Sequence, residues 1–230
     1  MQQALYALLM ILLTVACFFL MAKLYARFAF AFLIPVLTST FLIIGILVAF
    51  HIPYESYMEG GKWINALLGP AVVALAFPLY RQRMFLKKHM FLIVGNVAIA
   101  GVVGMISVAV FSKWFHLSDS LSLSILPKSV TTPVAMAVAD GLGGSASMAI
   151  VGVMIAGIFG AMLAPYIFHL FGVKSPVGRG IALGSASHAV GTSKAAEYSE
   201  LAFSMGSVSM TLNAILSSLI GPVIAWLLFG

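Results

Sequence analysis

Leu121–Asp140, reading LSLSILPKSVTTPVAMAVAD, is apolar enough to enter a membrane and too polar to cross one as a plain helix. Pro127 and Pro133 bracket Lys128-Ser129-Val130-Thr131-Thr132. A proline removes a backbone donor and disfavours helical geometry in the residue before it, so the pair predicts an interruption there. A second stretch, Gly180–Glu197 (GIALGSASHAVGTSKAAE), has the same character, with His188 set among Ser, Thr and Gly. Each stretch directly precedes a long apolar run. Irregular polar backbone at membrane depth persists only where it is buried in protein or lines a cavity, and an ionisable group there marks a candidate functional site.

The surrounding chain is 62% hydrophobic and 8% charged over 230 residues, against about 25% charged in a soluble domain. A chain this apolar cannot cover itself in water, and the expected fold class is an all-α polytopic membrane protein. The net charge of +6 does not indicate nucleic acid. Most basic residues cluster in short segments between apolar runs (Lys23 and Arg27; Arg81, Arg83, Lys87 and Lys88; Lys174 and Arg179). That is positive-inside patterning, without the basic stripe and interleaved aromatics of a nucleic-acid surface. Cys17 is the single cysteine, which excludes an intrachain disulfide and a cysteine metal cluster. No basic segment precedes the first apolar run, which is read as a retained span and not as a cleaved signal.

Apolar runs of spanning length predict six full spans, at about Ala4–Ala22, Phe28–Phe50, Trp63–Tyr80, Met90–Phe111, Ala146–Phe171 and Phe203–Leu228. Putting the Lys23 and Arg81–Lys88 segments in the cytoplasm leaves the N-terminus and the His51–Lys62 loop outside. If both polar stretches cross, the Lys174/Arg179 loop falls outside, against the charge rule. If both are re-entrant or discontinuous, it falls inside and the rule is obeyed, and this is the favoured reading. The chain is then one membrane domain, 1–230, with a four-span scaffold over 1–112 and two candidate repeated units over 121–171 and 178–229. A weak internal echo supports the pairing: Ser147-Met148 aligns with Ser204-Met205, Pro165 with Pro222, and Asp140 with Glu197. Two such units entering from opposite faces form an inverted repeat, the arrangement in which secondary transporters hold substrate near the midplane.

The two stretches suggest chemistry suited to a small anion. Pro133 fits the first turn of a new half-helix capped by Thr131 or Thr132, and such an N-terminus attracts negative charge. Lys128 adds a full charge, with Ser129, Thr131 and Thr132 beside it as further contacts. In the second stretch Ser185, Ser187 and Thr192 supply hydroxyls, and His188 could carry a coupling proton. Lys194, beside Glu197 and Glu200, is read as lying at a solvated end. Against the site reading stand two blander ones: Lys128 snorkelling to headgroups and His188 bonded across a helix interface. Asn96, Asn213, Asp140 and Glu197 are candidate pathway or coupling residues, with interhelical bonding for the amides and solvation for the carboxylates as alternatives. No P-loop, dinucleotide fingerprint, metal-ligand spacing or nucleophile elbow is present, so no enzyme, metal or cofactor is expected.

Three segments together resemble the LrgB/CidB family of bacterial membrane proteins, relatives of the plastidic glycolate/glycerate translocator. They are Leu68–Gln82 (LGPAVVALAFPLYRQ), Leu126–Met136 (LPKSVTTPVAM) and Gly184–Ser193 (GSASHAVGTS). The resemblance implies a bacterial inner-membrane protein working with a small LrgA/CidA-type membrane partner. It implies two functions: transport of short carboxylates such as glycolate, glycerate, lactate or pyruvate, or antiholin-like regulation of murein hydrolase export and cell lysis. The polar pair favours transport, with a small carboxylate as ligand; exposed small-residue faces suit a homodimer, the expected assembly.

Overall fold

The computed structural model describes residues 2–28, 30, 33–67, 70, 73–74, 76–81 and 83–229, and among these there is helix and no strand. The chain divides into two compact units, Met1–Leu75 and Ala76–Gly230, with the boundary inside the expected four-span scaffold.

In the first unit, α1 (Gln2–Phe28) is a continuous apolar helix of spanning length, followed by α2 (Pro35–Ala49) and α3 (Tyr54–Ala66). Pro35 sits in the first turn of α2, which shortens that helix to 15 residues where a span over Phe28–Phe50 was expected. α1 and α3 pack closely because Gly60 carries no side chain: a Cβ there would lie 2.6 Å from the Ala7 carbonyl oxygen. Thr14 Oγ1 and the Tyr57 hydroxyl, 2.9 Å apart, tie the same pair. The expected His51–Lys62 loop is instead mostly helix. Pro53 stands at the N-cap with extended backbone, Glu55 occupies the first turn, and Glu59 pairs with Lys62 one turn on. The expected third span, Trp63–Tyr80, falls partly on residues outside those described.

The second unit holds α4 (Ala76–Arg81), α5 (Arg83–Trp114), α6 (Asp119–Ile125), α7 (Thr132–Gly141), α8 (Ala146–Leu170), α9 (Pro176–Ala195) and α10 (Glu200–Phe229). Three of these, α5, α8 and α10, match expected spans and are long and apolar enough to cross a membrane. α10, with 30 residues, is the helix against which α4, α5, α7 and α9 pack. Its small residues permit the approach: a Cβ on Gly180 would meet the Ala202 carbonyl, and one on Gly184 the Gly206 carbonyl. Lipid supplies no hydrophobic drive between helices, so such close backbone packing is what binds them.

Contacts along α10 give the directions of its neighbours. Ile93 and Val97 of α5 cluster with Met205 and Val208, Gly101 abuts Asn213, and Lys113 lies over the Phe229 ring. α5 therefore runs parallel to α10. The first half of α9 is parallel as well, Gly180 meeting Ala202 and Gly184 meeting Gly206. The N-terminal ends of α5, α9 and α10 thus share one end of the unit. That end collects Lys87, Lys88, Lys174 and Arg179.

Candidate functional site

Both polar stretches are interrupted helices. The first is α6, a turn over 126–131, and α7. Lys128 N–H donates to the Ile125 carbonyl and Val130 N–H to that of Pro127, so the backbone tightens into turns between the two prolines. Thr131 is the N-cap of α7, in extended conformation, and Pro133 lies in its first turn, as the sequence predicts. The Thr131 hydroxyl makes no capping bond to the helix. Leu126 packs with Met105, Ile224 and Ala225 near the C-terminal end of α10, and Leu142 rejoins that cluster. Between them the chain dips to the middle of α10, where Ser129 meets Asn213, and Val138 then packs on Gly221.

The second stretch enters from the other end. α9 breaks at Ser187 (φ −125°, ψ 16°) and His188 (φ 42°, ψ −130°). A positive φ is uncommon for a residue with a Cβ and persists where surrounding packing imposes it. The break is a reversal, not a gentle kink. A Cβ on Gly191 would strike the carbonyl of Leu183, eight residues earlier, whereas a straight helix would separate them by about 12 Å. Leu183 and Ala195 likewise share one buried cluster with Ala202. The stretch therefore runs in beside the first half of α10 and folds back toward the end it came from.

The two tips meet at Asn213, near the midpoint of α10 and fully buried. Its Nδ2 donates to the Ser129 carbonyl at 3.1 Å and to the Ser185 carbonyl at 3.0 Å. Both donors of one amide are thus spent on backbone carbonyls of the two interrupted helices. Its Oδ1 accepts from Ser217 Oγ at 3.4 Å and presses against Gly101, where a Cβ would lie 2.8 Å away. On the opposite side the tips share α8. His188 Nε2 lies 2.9 Å from the Val153 carbonyl oxygen, and Val153 packs with Val130 and Ala135 of the first stretch. Gly157 and Gly160 make the seat: a Cβ on Gly157 would meet the His188 ring at 2.6 Å, and one on Gly160 would overlap Ser187 Oγ.

Lys128, Ser129, Thr131 and Thr132 are half-buried at the first tip, while Ser185, Ser187, His188 and Thr192 are buried at the second. Among the described residues no carboxylate pairs with Lys128. Among the described residues, Ser185 Oγ and Ser187 Oγ have no hydrogen-bond partner although both are buried, an arrangement that native interiors avoid unless something else fills it. Thr192 faces α10, its hydroxyl 4.0 Å from Met210 Sδ and packed on Gly206. Three candidates lie away from the junction. Asp140 is exposed in the last turn of α7. Glu197 pairs with Lys194 beyond the end of α9, and Asn96 is exposed on α5, donating to the Leu92 carbonyl of its own helix. Lys194, expected at a solvated end, is in fact buried, its ammonium held by Glu197. Charge in the last helical turn offsets the carbonyl ends there. Gly157 and Gly160 suit close helix packing on sequence alone, but that they receive the His188 ring and Ser187, and that the Val153 carbonyl meets the imidazole, is set by the tertiary fold.

The LrgB-like family model matches residues 14–227. The chain belongs to the LrgB-like family. It is 58% identical over 227 residues to the uncharacterized protein YxaC of Bacillus subtilis, covering 99% of each chain. It is 38% identical to the uncharacterized protein YwbG of the same organism over 91% of this chain and 93% of the relative. Identity to the holin-like protein CidB of Staphylococcus epidermidis is 34% over the full length of both. No solved structure matches the chain. Four long apolar helices and this kinship establish a membrane protein of the LrgB type.

Proposed function

We propose that the protein is a secondary transporter, or the transporting subunit of a pair, for a short carboxylate such as glycolate, glycerate, lactate or pyruvate. The observation that carries this reading is the meeting of two interrupted helices from opposite ends of α10 at Asn213. Beside that junction, among the described residues, stand a lysine with no carboxylate paired to it and two buried hydroxyls without partners. A packing partner has no use for these groups, because each unsatisfied buried polar atom costs about 1–3 kcal/mol. A carboxylate answers them. Lys128 and the N-terminus of α7 take its charge. Ser185, Ser187 and their neighbours bond its second oxygen or its C2 substituent, and His188 carries a coupling proton. Alternating access follows if the two hairpins move in turn against the long helices.

The positive-inside rule favours the end bearing Lys87, Lys88 and Lys174 in the cytoplasm, in a bacterial cell membrane and with the N-terminus outside. Reconstitution tests the reading. Vesicles containing wild-type protein should accumulate labelled glycolate or pyruvate, and Lys128→Ala and His188→Ala should abolish or cripple uptake. Wild-type vesicles inert both alone and with a small LrgA/CidA-type partner would refute transport.

A second reading is favoured by the relative named holin-like: an antiholin-like regulator of murein hydrolase export acting through a small membrane partner. In that case, deleting the gene changes lysis while Lys128→Ala leaves lysis as in wild type.

A further inference from the structure

We infer that the groove between α5 and the first half of α9 is a water-filled path along which a small anion passes between the basic end of the second unit and the Asn213 junction. The anion's identity as substrate rests on the transport reading. The path itself rests on four features of the groove. Its volume is about 480 Å³, many times the roughly 30 Å³ that a water molecule occupies in the liquid, so a hydrated two- or three-carbon acid fits. On α5 it is lined by His89, Asn96 and Ala100, and on α9 by Val177, Gly178 and Ala182.

The groove stops one residue short of the junction on α5 and one turn short of it on α9. Ala100 is followed by Gly101, which lies against Asn213 Oδ1. Ala182 comes one turn before Ser185, whose carbonyl accepts from the same asparagine. The outer end lies beneath cations: His89 follows the exposed Lys87 and Lys88, and Val177 follows the exposed Lys174. The carboxylates of this region, Glu197 and Glu200, are engaged by Lys194 and Arg81, so they do not cancel the lysines. A cleft with one sign of charge at its mouth and low-dielectric walls concentrates counter-ions. Asn96 supplies a polar step halfway along, with one amide proton on Leu92 and a second donor and an acceptor besides.

The mostly apolar walls would also suit a lipid chain, and thiol chemistry separates the two occupants. In full-length protein with Cys17→Ala, single cysteines go in at Asn96, Ala182 and Gly178, where a Cβ has room. A further cysteine replaces Phe91, 92% exposed on the outside of α5. Oriented membrane vesicles are treated with anionic or cationic methanethiosulfonate or with neutral N-ethylmaleimide. The groove cysteines should react with the charged reagents from the side on which Lys174→Cys reacts, and about tenfold faster with the anionic one. Phe91→Cys should react with the neutral reagent only. Groove cysteines that behave like Phe91→Cys, that react from the opposite side, or that prefer the cationic reagent overturn the path. Three positions ensure that one poorly inserting variant does not decide the result. A reactive groove in protein that takes up no carboxylate would leave the path standing and remove transport. Uptake through protein with an inert groove would do the reverse.

Discussion

The side-chain nitrogen of Asn213 lies 3.0 Å from the carbonyl oxygen of Ser185, and its second proton goes to Ser129 of the other interrupted helix. One amide thus cross-links two elements far apart in the chain. Asn213→Ala removes one donor from a buried carbonyl and one from a half-buried carbonyl, at up to about 1–3 kcal/mol each. Asn213→Asp should be worse, because a carboxylate would face both oxygens. The expected result is a melting temperature in detergent lowered by several degrees for the alanine variant and further for the aspartate. A wild-type melting curve for Asn213→Ala would mean the tips are not held in this way.

Two glycines in neighbouring helices should respond oppositely to alanine. At Gly184 the new methyl points into the backbone carbonyl of Gly206, so α9 and α10 must separate. Overpacking of this kind costs about 1–3 kcal/mol. At Gly95 nothing among the described residues lies within 4 Å of the added carbon, and the helix gains up to about 1 kcal/mol of propensity. Thermal unfolding of Gly184→Ala and Gly95→Ala should therefore move in opposite directions. Equal stability of the two would contradict the close approach of α9 to α10.

The interruptions were legible in the sequence because their causes are local. Pro127 and Pro133 forbid a continuous helix, and the structure breaks between them. The second interruption was legible only as a polar stretch. No proline marks Ser187 or His188, and the reversal there depends on Gly157 and Gly160 of α8, which give the ring and hydroxyl room. Asn213 was visible as a lone amide in an apolar helix, but its two partners are set by tertiary packing. Pattern reading failed around Tyr54–Ala66, where turn-like composition hides an N-cap proline and an ion-paired helix. It failed again at Lys194, whose neighbouring acids suggested solvent and instead supply a buried partner.

The hydroxyls of Ser185 and Ser187 are buried without partners, so removing them should not weaken the fold. Ser185→Ala and Ser187→Ala are expected to melt at or slightly above the wild-type temperature. If a carboxylate bonds them, the same variants should raise KM for uptake by about tenfold each, the worth of one hydrogen bond to a charged group. Lower stability with unchanged KM would make the hydroxyls structural and remove them from the site.

The sidedness of four positions tests the re-entrant topology directly. α5 begins beside Lys87 and ends with Lys113 over the Phe229 ring, so those two lysines belong to opposite faces. If the first stretch dips and returns, Asp140 stays on the face of Lys113, and α8 then carries the chain back to Lys174 on the face of Lys87. If both stretches crossed instead, Asp140 and Lys174 would each change sides. Single cysteines at Lys87, Lys113, Asp140 and Lys174, in the Cys17→Ala background, can be labelled in intact cells with a membrane-impermeant maleimide. Lys113→Cys and Asp140→Cys should label from outside, and Lys87→Cys and Lys174→Cys only after permeabilisation. The contacts along α10 point to this pairing: Gly180 on Ala202 ties the start of α9 to one end, and Val138 on Gly221 ties α7 to the other. Labelling of Lys174→Cys from outside while Lys87→Cys stays protected would therefore refute the opposed hairpins, and with them the meeting of the two tips at Asn213.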